Sequence, residues 1–413
     1  MRRIATIGVL LLLLLSSAPT LAQHQDNKLE PPDLEDYRRW GFLRVRPGFE
    51  LSRLGYDSNI LSTSTGDPVS DVTATLSPRL DGLILFGSAG FLTFREKYGY
   101  TLYLENSDQN FWNNEFTARA TVPFGGIGVF SEISIDDLQS RPVDQEDIRT
   151  QSQFRDFGLG VIVQPGWRTE IEVARHTNRW RYEDPESFNV SERLDRDVTW
   201  TGLDVSHRLR GRTRALLKIK KEQIEFLAPF NSSTGPIERD TTEWNKLVGV
   251  RLGRGSSVVG QLLLGRGTID ADDPSLEDLS GTIGEIDATW VAGSRTRIRL
   301  TAQRYPGFAV SEGNAYYLDT SGSLRGVHYF TNLLGGEVIY RRGRLDFPEA
   351  STPPTRRDET RHIEIGIRLR VFNSADGRRV EYSATVGRYR RESNLSGFDQ
   401  DRNTFGFGAV LGF

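Results

Sequence analysis

Residues able to do chemistry are few in this chain. Its 413 residues include five histidines and no cysteine, which excludes disulfides, thiolate metal sites and cysteine nucleophiles. His24, His176, His207, His328 and His362 lie far apart, and none has a second histidine at metal-ligand spacing. No HExxH, Walker loop, GxSxG or dinucleotide fingerprint occurs. His176, near the polar stretch starting at Glu183, is the one loose candidate for a hydrolytic base; a histidine in a wet interior is the simpler reading. The expectation is therefore a protein that is not an enzyme, with no catalytic residue, no metal and no cofactor. The segment Ile269 to Leu279 holds Asp270, Asp272, Asp273, Glu277 and Asp278 without a basic residue. It lacks EF-hand spacing and reads as a solvated acidic loop.

The more informative charges come in pairs two residues apart: Arg44 and Arg46, Lys218 and Lys220, Glu285 and Asp287, Arg297 and Arg299, Arg368 and Arg370. On an extended strand, residues i and i+2 share a face. Hairpin register about the adjacent turns places Lys218 near Asp204, Arg299 near Asp287, and Arg370 near Glu381. Such pairs orient side chains and stiffen a wall. They also form charged ladders along which an anionic or sugar-rich solute can move. Both roles can coexist.

These residues need strands to hold them, and strands are what the pattern predicts. Ile363, Ile365, Ile367, Leu369 and Val371 alternate with His362, Glu364, Gly366, Arg368 and Arg370; similar period-2 runs recur from residue 41 to the end, and amphipathic helices are absent. Connections alternate between short glycine-containing turns, such as Gly125-Gly126 and Gly293-Ser294, and longer polar loops, such as 183 to 195 and 228 to 241. Short turns at one end and long loops at the other predict a closed antiparallel transmembrane β-barrel of about eighteen strands, within sixteen to twenty, rather than a soluble sandwich. With 37% hydrophobic residues there is no helical bundle of apolar spans. The net charge of −3 argues against a nucleic-acid surface.

Residues 1–22 read as a signal peptide, with Arg2 and Arg3 before the apolar run Gly8 to Leu15 and a small-residue cleavage site at Ala22. Residues 23–40 are polar and aperiodic and read as a short periplasmic tail; residues 41–413 read as the barrel. The chain is thus expected in the outer membrane of a Gram-negative bacterium, in contact with lipid and lipopolysaccharide. Phe405, Phe407, Ala409, Leu411 and Phe413 form an alternating C-terminal strand with a terminal aromatic, as the barrel insertion machinery would recognise. Trp112, Trp180, Trp200 and Trp244 fall near predicted loop-side strand ends, and Trp40, Trp167 and Trp290 near turn-side ends. With Phe413, all but Trp40 are candidate interface aromatics, since indoles favour the headgroup levels.

Arg53 to Ile60, containing Tyr56-Asp57-Ser58-Asn59, together with Ser77-Pro78 and the stretch Glu105 to Asn113, resembles the putative β-barrel porin type 2 group. The resemblance implies an outer-membrane barrel associated with export of exopolysaccharide or capsule. A neutral or anionic polysaccharide and a periplasmic export partner would then be its partners. It assigns no catalytic residue, and no role to Tyr56, Asp57, Ser58 or Asn59. The expected function is a passive conduit for polysaccharide export. The alternatives are a general or small-solute diffusion porin, with loop 139 to 152 or 228 to 241 folded into the lumen, and a structural or adhesive barrel whose lumen is closed.

Overall fold

The computed structural model describes residues 27–61, 68–140, 150–184, 189–232, 235–253, 257–276, 278–309, 316–347, 355–373 and 379–412. Eighteen of its strands form one antiparallel barrel: β1 Leu43–Asp57, β2 Asp71–Leu85, β3 Phe91–Tyr103, β4 Phe111–Phe124, β5 Ile127–Ser140, β6 Thr150–Val163, β7 Thr169–Tyr182, β8 Arg196–Arg210, β9 Thr213–Phe226, β10 Thr241–Leu252, β11 Val258–Ala271, β12 Leu279–Ala292, β13 Thr296–Phe308, β14 Tyr316–Tyr329, β15 Leu334–Asp346, β16 Arg357–Asn373, β17 Arg379–Ser393 and β18 Gln400–Gly412. Each strand pairs with its neighbours in sequence. The ring closes where β1 pairs with β18, from Gly48 opposite Gly412 to Asp57 opposite Thr404. Closure leaves no unpaired edge, which a bilayer demands because it offers backbone groups no water.

The eighteen predicted strands are the eighteen observed. The largest displacement is at β15, which begins at Leu334 where the pattern pointed to about 329. The connection is built from side-chain chemistry without a glycine or proline: the Thr331 hydroxyl accepts from the backbone N–H groups of Leu333 and Leu334. Elsewhere turns are set as expected. Gly125 takes φ +64° between the paired residues Phe124 and Ile127, a conformation costly for any residue with a Cβ.

Alternation decides which side chain meets lipid. Val248 and Val250 on β10, Leu262 and Leu264 on β11, Ile363 to Leu369 on β16, and Phe405 and Phe407 on β18 stand exposed on the outer face. Their in-between neighbours, such as Leu247 and Leu263, are buried on the inner face. The inner wall is not uniformly polar: Leu216, Leu247, Leu263 and Ile283 join in a buried apolar cluster.

Candidate functional site

All ten charged lumen candidates fall on the inward face, at positions alternating with the exposed apolar ones. Lys218 Nζ lies 4.0 Å from Asp204. Arg299 grips Asp287 with two parallel hydrogen bonds of 2.9 and 2.7 Å, and Arg370 Nε lies 3.9 Å from Glu381. The structure extends this last pair into a network. Arg368 bridges Glu337, at 2.7 Å, and Glu381. Arg325 also binds Glu337, the Tyr329 hydroxyl donates to Glu381 at 2.8 Å, and the Arg370 guanidinium stacks 3.8 Å over the Tyr329 ring. Lys220 pairs with Glu222 at 2.7 Å, and Glu285 accepts from Gln261 at 2.8 Å. Arg44 and Arg297 share the inner face with Arg46 and Arg299.

Asp81 was not singled out from the sequence. Its carboxylate holds three guanidinium groups, Arg46 at 3.2 Å, Arg79 at 2.6 Å and Arg95 at 2.6 Å. A signal existed, since Arg79 and Asp81 are two apart on one strand and Arg46 and Arg95 lie opposite Asp81 in register.

Within these pairs the two charges are not equally presented. Asp81 is 2% exposed and Arg79 40%; Glu337 is 3% exposed and Arg325 43%; Asp287 is 20% exposed and Arg299 45%. Short carboxylates sit down in the wall while long basic side chains rest on it, heads toward the water. Lys218 and Asp204 are the exception, with the acid more exposed. The accessible charge of these clusters is therefore mainly positive even though formal charges nearly balance.

Both ends of the passage are narrowed. At the turn side, the segment read as a tail folds back inside the mouth. Leu29 is buried against inward-facing Phe130, Ile162 and Ala174, over Gly128, where a Cβ would collide with the Leu29 side chain. Lys28 Nζ lies 2.7 Å from Glu172 and 3.6 Å from Glu170, and the Asn27 side chain accepts from Gln164 at 2.7 Å. Burial alone would lower the Lys28 pKa, but the charges of Glu172 and Glu170 outweigh it and hold the ammonium above its ordinary value. Eight residues beyond Leu29, Tyr37 packs on Leu83 and Phe91 of β2 and β3. The strap thus runs from the β5–β7 wall to the β2–β3 wall.

At the loop side, residues from four connections meet. Val190 and Leu194, around a short helix Ser191–Leu194 between β7 and β8, join one buried cluster with Ala309, Tyr317, Leu345 and Phe347. Six strands of the ring lie between β7 and β14, so this contact reaches across the mouth. Arg239, between β9 and β10, donates to the carbonyl oxygen of Ala309 at 3.2 Å and to that of Arg193. Burial and the charges of Arg196 and Arg193 push its pKa down to about 10. Of the two loops expected to fold inward, 228 to 241 contributes Arg239, residues 141–149 of the other lie outside the described residues, and loop 183 to 195 was not anticipated.

The remaining predicted positions divide clearly. Asp57, Ser58 and Asn59 tie the seam of the barrel: Asp57 binds Arg402 of β18, the Ser58 hydroxyl accepts from the Asn403 backbone at 2.9 Å, and the Asn59 backbone donates to Asp57 at 3.1 Å. Tyr56 points outward. Trp112 faces out, stacked on Tyr100 at 4.1 Å; Trp167 and Trp290 are exposed, and Trp244 is half-buried on the outer face. Trp180 and Trp200 correct the expectation of interface aromatics. Their parity matches that of inward Glu172 and Asp204, so Trp180 packs on Phe154 at 4.4 Å and Trp200 stacks on His176 at 3.9 Å. Buried His176 is also held by Asp156 at 2.8 Å, a wall contact. In the acidic loop, Asp273 and Asp278 accept from the backbone of Ser275 and Ala271. No cluster of three potential metal ligands exists among the described residues. Phe413, Glu277 and residues 1–26 lie outside them.

The family described as Putative beta-barrel porin 2 matches residues 132–413. No curated protein matches the sequence. Among solved structures, OccK9 (OpdG) of Pseudomonas aeruginosa is similar with a TM-score of 0.50 at 10% identity, covering 89% of this chain and 98% of that one. The outer membrane protein OpdK of Pseudomonas aeruginosa has a TM-score of 0.47 at 14% identity, with 89% and 99% covered. A BenF-like porin from Pseudomonas fluorescens Pf-5 has 0.48 at 11%, with 90% and 100% covered.

Proposed function

The chain belongs to the Putative beta-barrel porin 2 family, and from that premise we propose that this outer-membrane barrel is a passive, non-enzymatic channel selecting small anionic solutes. One observation carries the reading: the inner wall buries its carboxylates and presents its guanidinium groups, as at Asp81 with Arg79 and Glu337 with Arg325. Eighteen strands enclose enough width for an aqueous path. A wall of exposed cations over buried anions offers an anionic solute a series of weak contacts, which favours entry without trapping.

The strap and the loop cluster favour small solutes over a polymer. A glycan chain in transit needs a passage clear at both ends, and here loops meet across the loop-side mouth while a folded strap occupies the inside of the turn-side mouth along the β2–β7 arc. Polysaccharide export, expected from the family resemblance, has no feature of the lumen in its favour. A sealed structural barrel is a weaker reading too, because Arg79, Arg299 and Arg325 remain open to water. Residues 1–22 fit the same proposal as the export signal that brings the barrel to the membrane.

Liposome swelling tests it. Proteoliposomes of the folded protein should admit small carboxylated solutes faster than neutral sugars of equal size and should exclude long oligosaccharides. Equal rates for acidic and neutral solutes would refute the anionic preference, and rapid entry of long oligosaccharides would restore the export reading.

A further inference from the structure

The outer wall of β9–β11 carries a cationic group that the lumen does not use. Lys221, Trp244 and Thr268 lie side by side in one cross-strand row, and Lys246 and Arg266 in the next row toward the turn side. All five alternate with inward residues, so they face outward. The Lys221 and Lys246 ammonium groups flank the Trp244 ring at 5.5 and 5.4 Å from its centre. Trp244, Lys246, Arg266 and Thr268 line a cavity of about 120 Å³. Immediately below, the outer face turns apolar through Leu217, Val248 and Leu264. The group therefore stands at the loop-side rim of the lipid-facing band, where headgroups of the outer leaflet lie.

Its charge is unusual for this barrel. Outward arginines of β15–β18 are neutralised locally: Arg342 by Glu359 at 3.2 Å, Arg344 and Arg357 by Asp346 at 2.7 and 3.0 Å, Arg388 by Asp401 at 2.6 Å and Arg390 by Glu392 at 3.2 Å. Among the described residues, Lys221, Lys246 and Arg266 have no carboxylate within ion-pair distance. The outward carboxylates on their strands, Glu225 and Asp270, sit nearer the loop end, and Arg266 hydrogen-bonds only the Ser280 hydroxyl, at 3.1 Å. Arg155 and Arg179, cross-strand neighbours on β6 and β7, are also outward, and Arg179 lies opposite Asp197 of β8 in register.

We infer that the Lys221, Trp244, Lys246, Arg266 and Thr268 group is a docking site for a phosphorylated glycolipid headgroup of the outer leaflet. The phosphate would sit between the Lys246 ammonium and the Arg266 guanidinium, with Thr268 as a further hydrogen-bond donor. The Trp244 ring offers the sugar an apolar face at the level where indoles settle. The acyl chains continue down over Leu217, Val248 and Leu264. From the loop side toward the turn side the ring of Trp244, the cations Lys246 and Arg266, and the apolar strip of Leu217, Val248 and Leu264 follow one another, so the headgroup-binding side chains stand directly above the surface that acyl chains would cover.

Native mass spectrometry of the folded barrel, titrated with bisphosphorylated lipid A, tests the assignment. One lipid should be retained by the unmodified protein. Lys246→Gln with Arg266→Gln should weaken retention on the order of tenfold to thirtyfold, while Arg155→Gln with Arg179→Gln should change it less than about twofold. Lipid A stripped of its phosphates should bind the unmodified protein as weakly as the phosphorylated form binds the first variant. Heat-modifiable electrophoretic mobility checks that each variant is folded. The inference is overturned if both lipid forms bind alike, if the two variants lose binding equally, or if phosphatidylglycerol at equal concentration competes as well as lipid A.

Discussion

On the proposed reading, selectivity in this barrel is set one ion pair at a time. An arginine whose partner is buried beneath it is tethered at the wall and still projects most of its field into the lumen. The pairs of Lys218 with Asp204, Arg299 with Asp287 and Arg370 with Glu381 were legible because tight turns fix hairpin register and period 2 fixes the face. Asp81 escaped notice because its three partners come from three strands, two of them beyond its own local spacing. It also gives a sharp prediction. Asp81→Asn should leave Arg46, Arg79 and Arg95 uncompensated, lowering stability by about 3 kcal/mol in a urea titration followed by tryptophan fluorescence, while raising anion selectivity. A fall in both would mean that Asp81 acts only as a structural counter-ion. The seam is governed by the same chemistry: Asp57→Asn removes the partner of buried Arg402 and should cost about 3–5 kcal/mol, read as a lowered heat-modifiability midpoint. An unchanged midpoint would show that β1–β18 closure does not lean on this pair. The motif around Tyr56 was visible as a string, but its role needed the last strand beside it, more than three hundred residues away in sequence.

Strap and cap are elements that pattern reading handles poorly. Residues 23–40 have no periodicity, and an aperiodic polar segment with Pro31-Pro32 gives no hint that Leu29 and Tyr37 pack on two neighbouring arcs of the inner wall, β5–β7 and β2–β3. Nearness to a strand end does not say which face a tryptophan takes, which is how Trp180 and Trp200 misled; their parity, shared with inward Glu172 and Asp204, turns them toward Phe154 and His176. Gly128 now has a reason to be glycine. Gly128→Leu should expel Leu29 and, like Leu29→Asp, raise single-channel conductance with little change in barrel stability; conductance at the unmodified level in both would show that the strap does not limit flow. The strap should also hold over a wide pH range. Because the Lys28 pKa is raised by Glu172 and Glu170, its contribution is complete below the ordinary lysine value of 10.5 and fades only as pH rises through the higher folded value. Conductance should therefore be flat from neutral pH to about 10 and increase above it. Lys28→Met should abolish that pH dependence and give the higher conductance already at neutral pH.

At the scale of the whole molecule, architecture was the most legible feature. Eighteen alternating runs, short turns opposite long loops and an apolar final strand leave little besides a closed barrel, because only closure satisfies every backbone group in a bilayer. What stayed hidden is what fills the ring: inward Leu263 within the run Leu262-Leu263-Leu264, where both faces are apolar and alternation gives no contrast, and the segments folded into each mouth. On the proposed reading those fillings turn a wide ring into a selective passage, and exposed guanidinium groups over buried carboxylates make it prefer anions. The most direct test is the reversal potential of the folded protein in a planar bilayer under a KCl gradient, compared with Arg299→Glu combined with Arg370→Glu. The expected result is a potential of the sign set by chloride permeation for the unmodified channel and a shift toward potassium in the variant. A cation-selective unmodified channel, or a variant with the same potential, would contradict it.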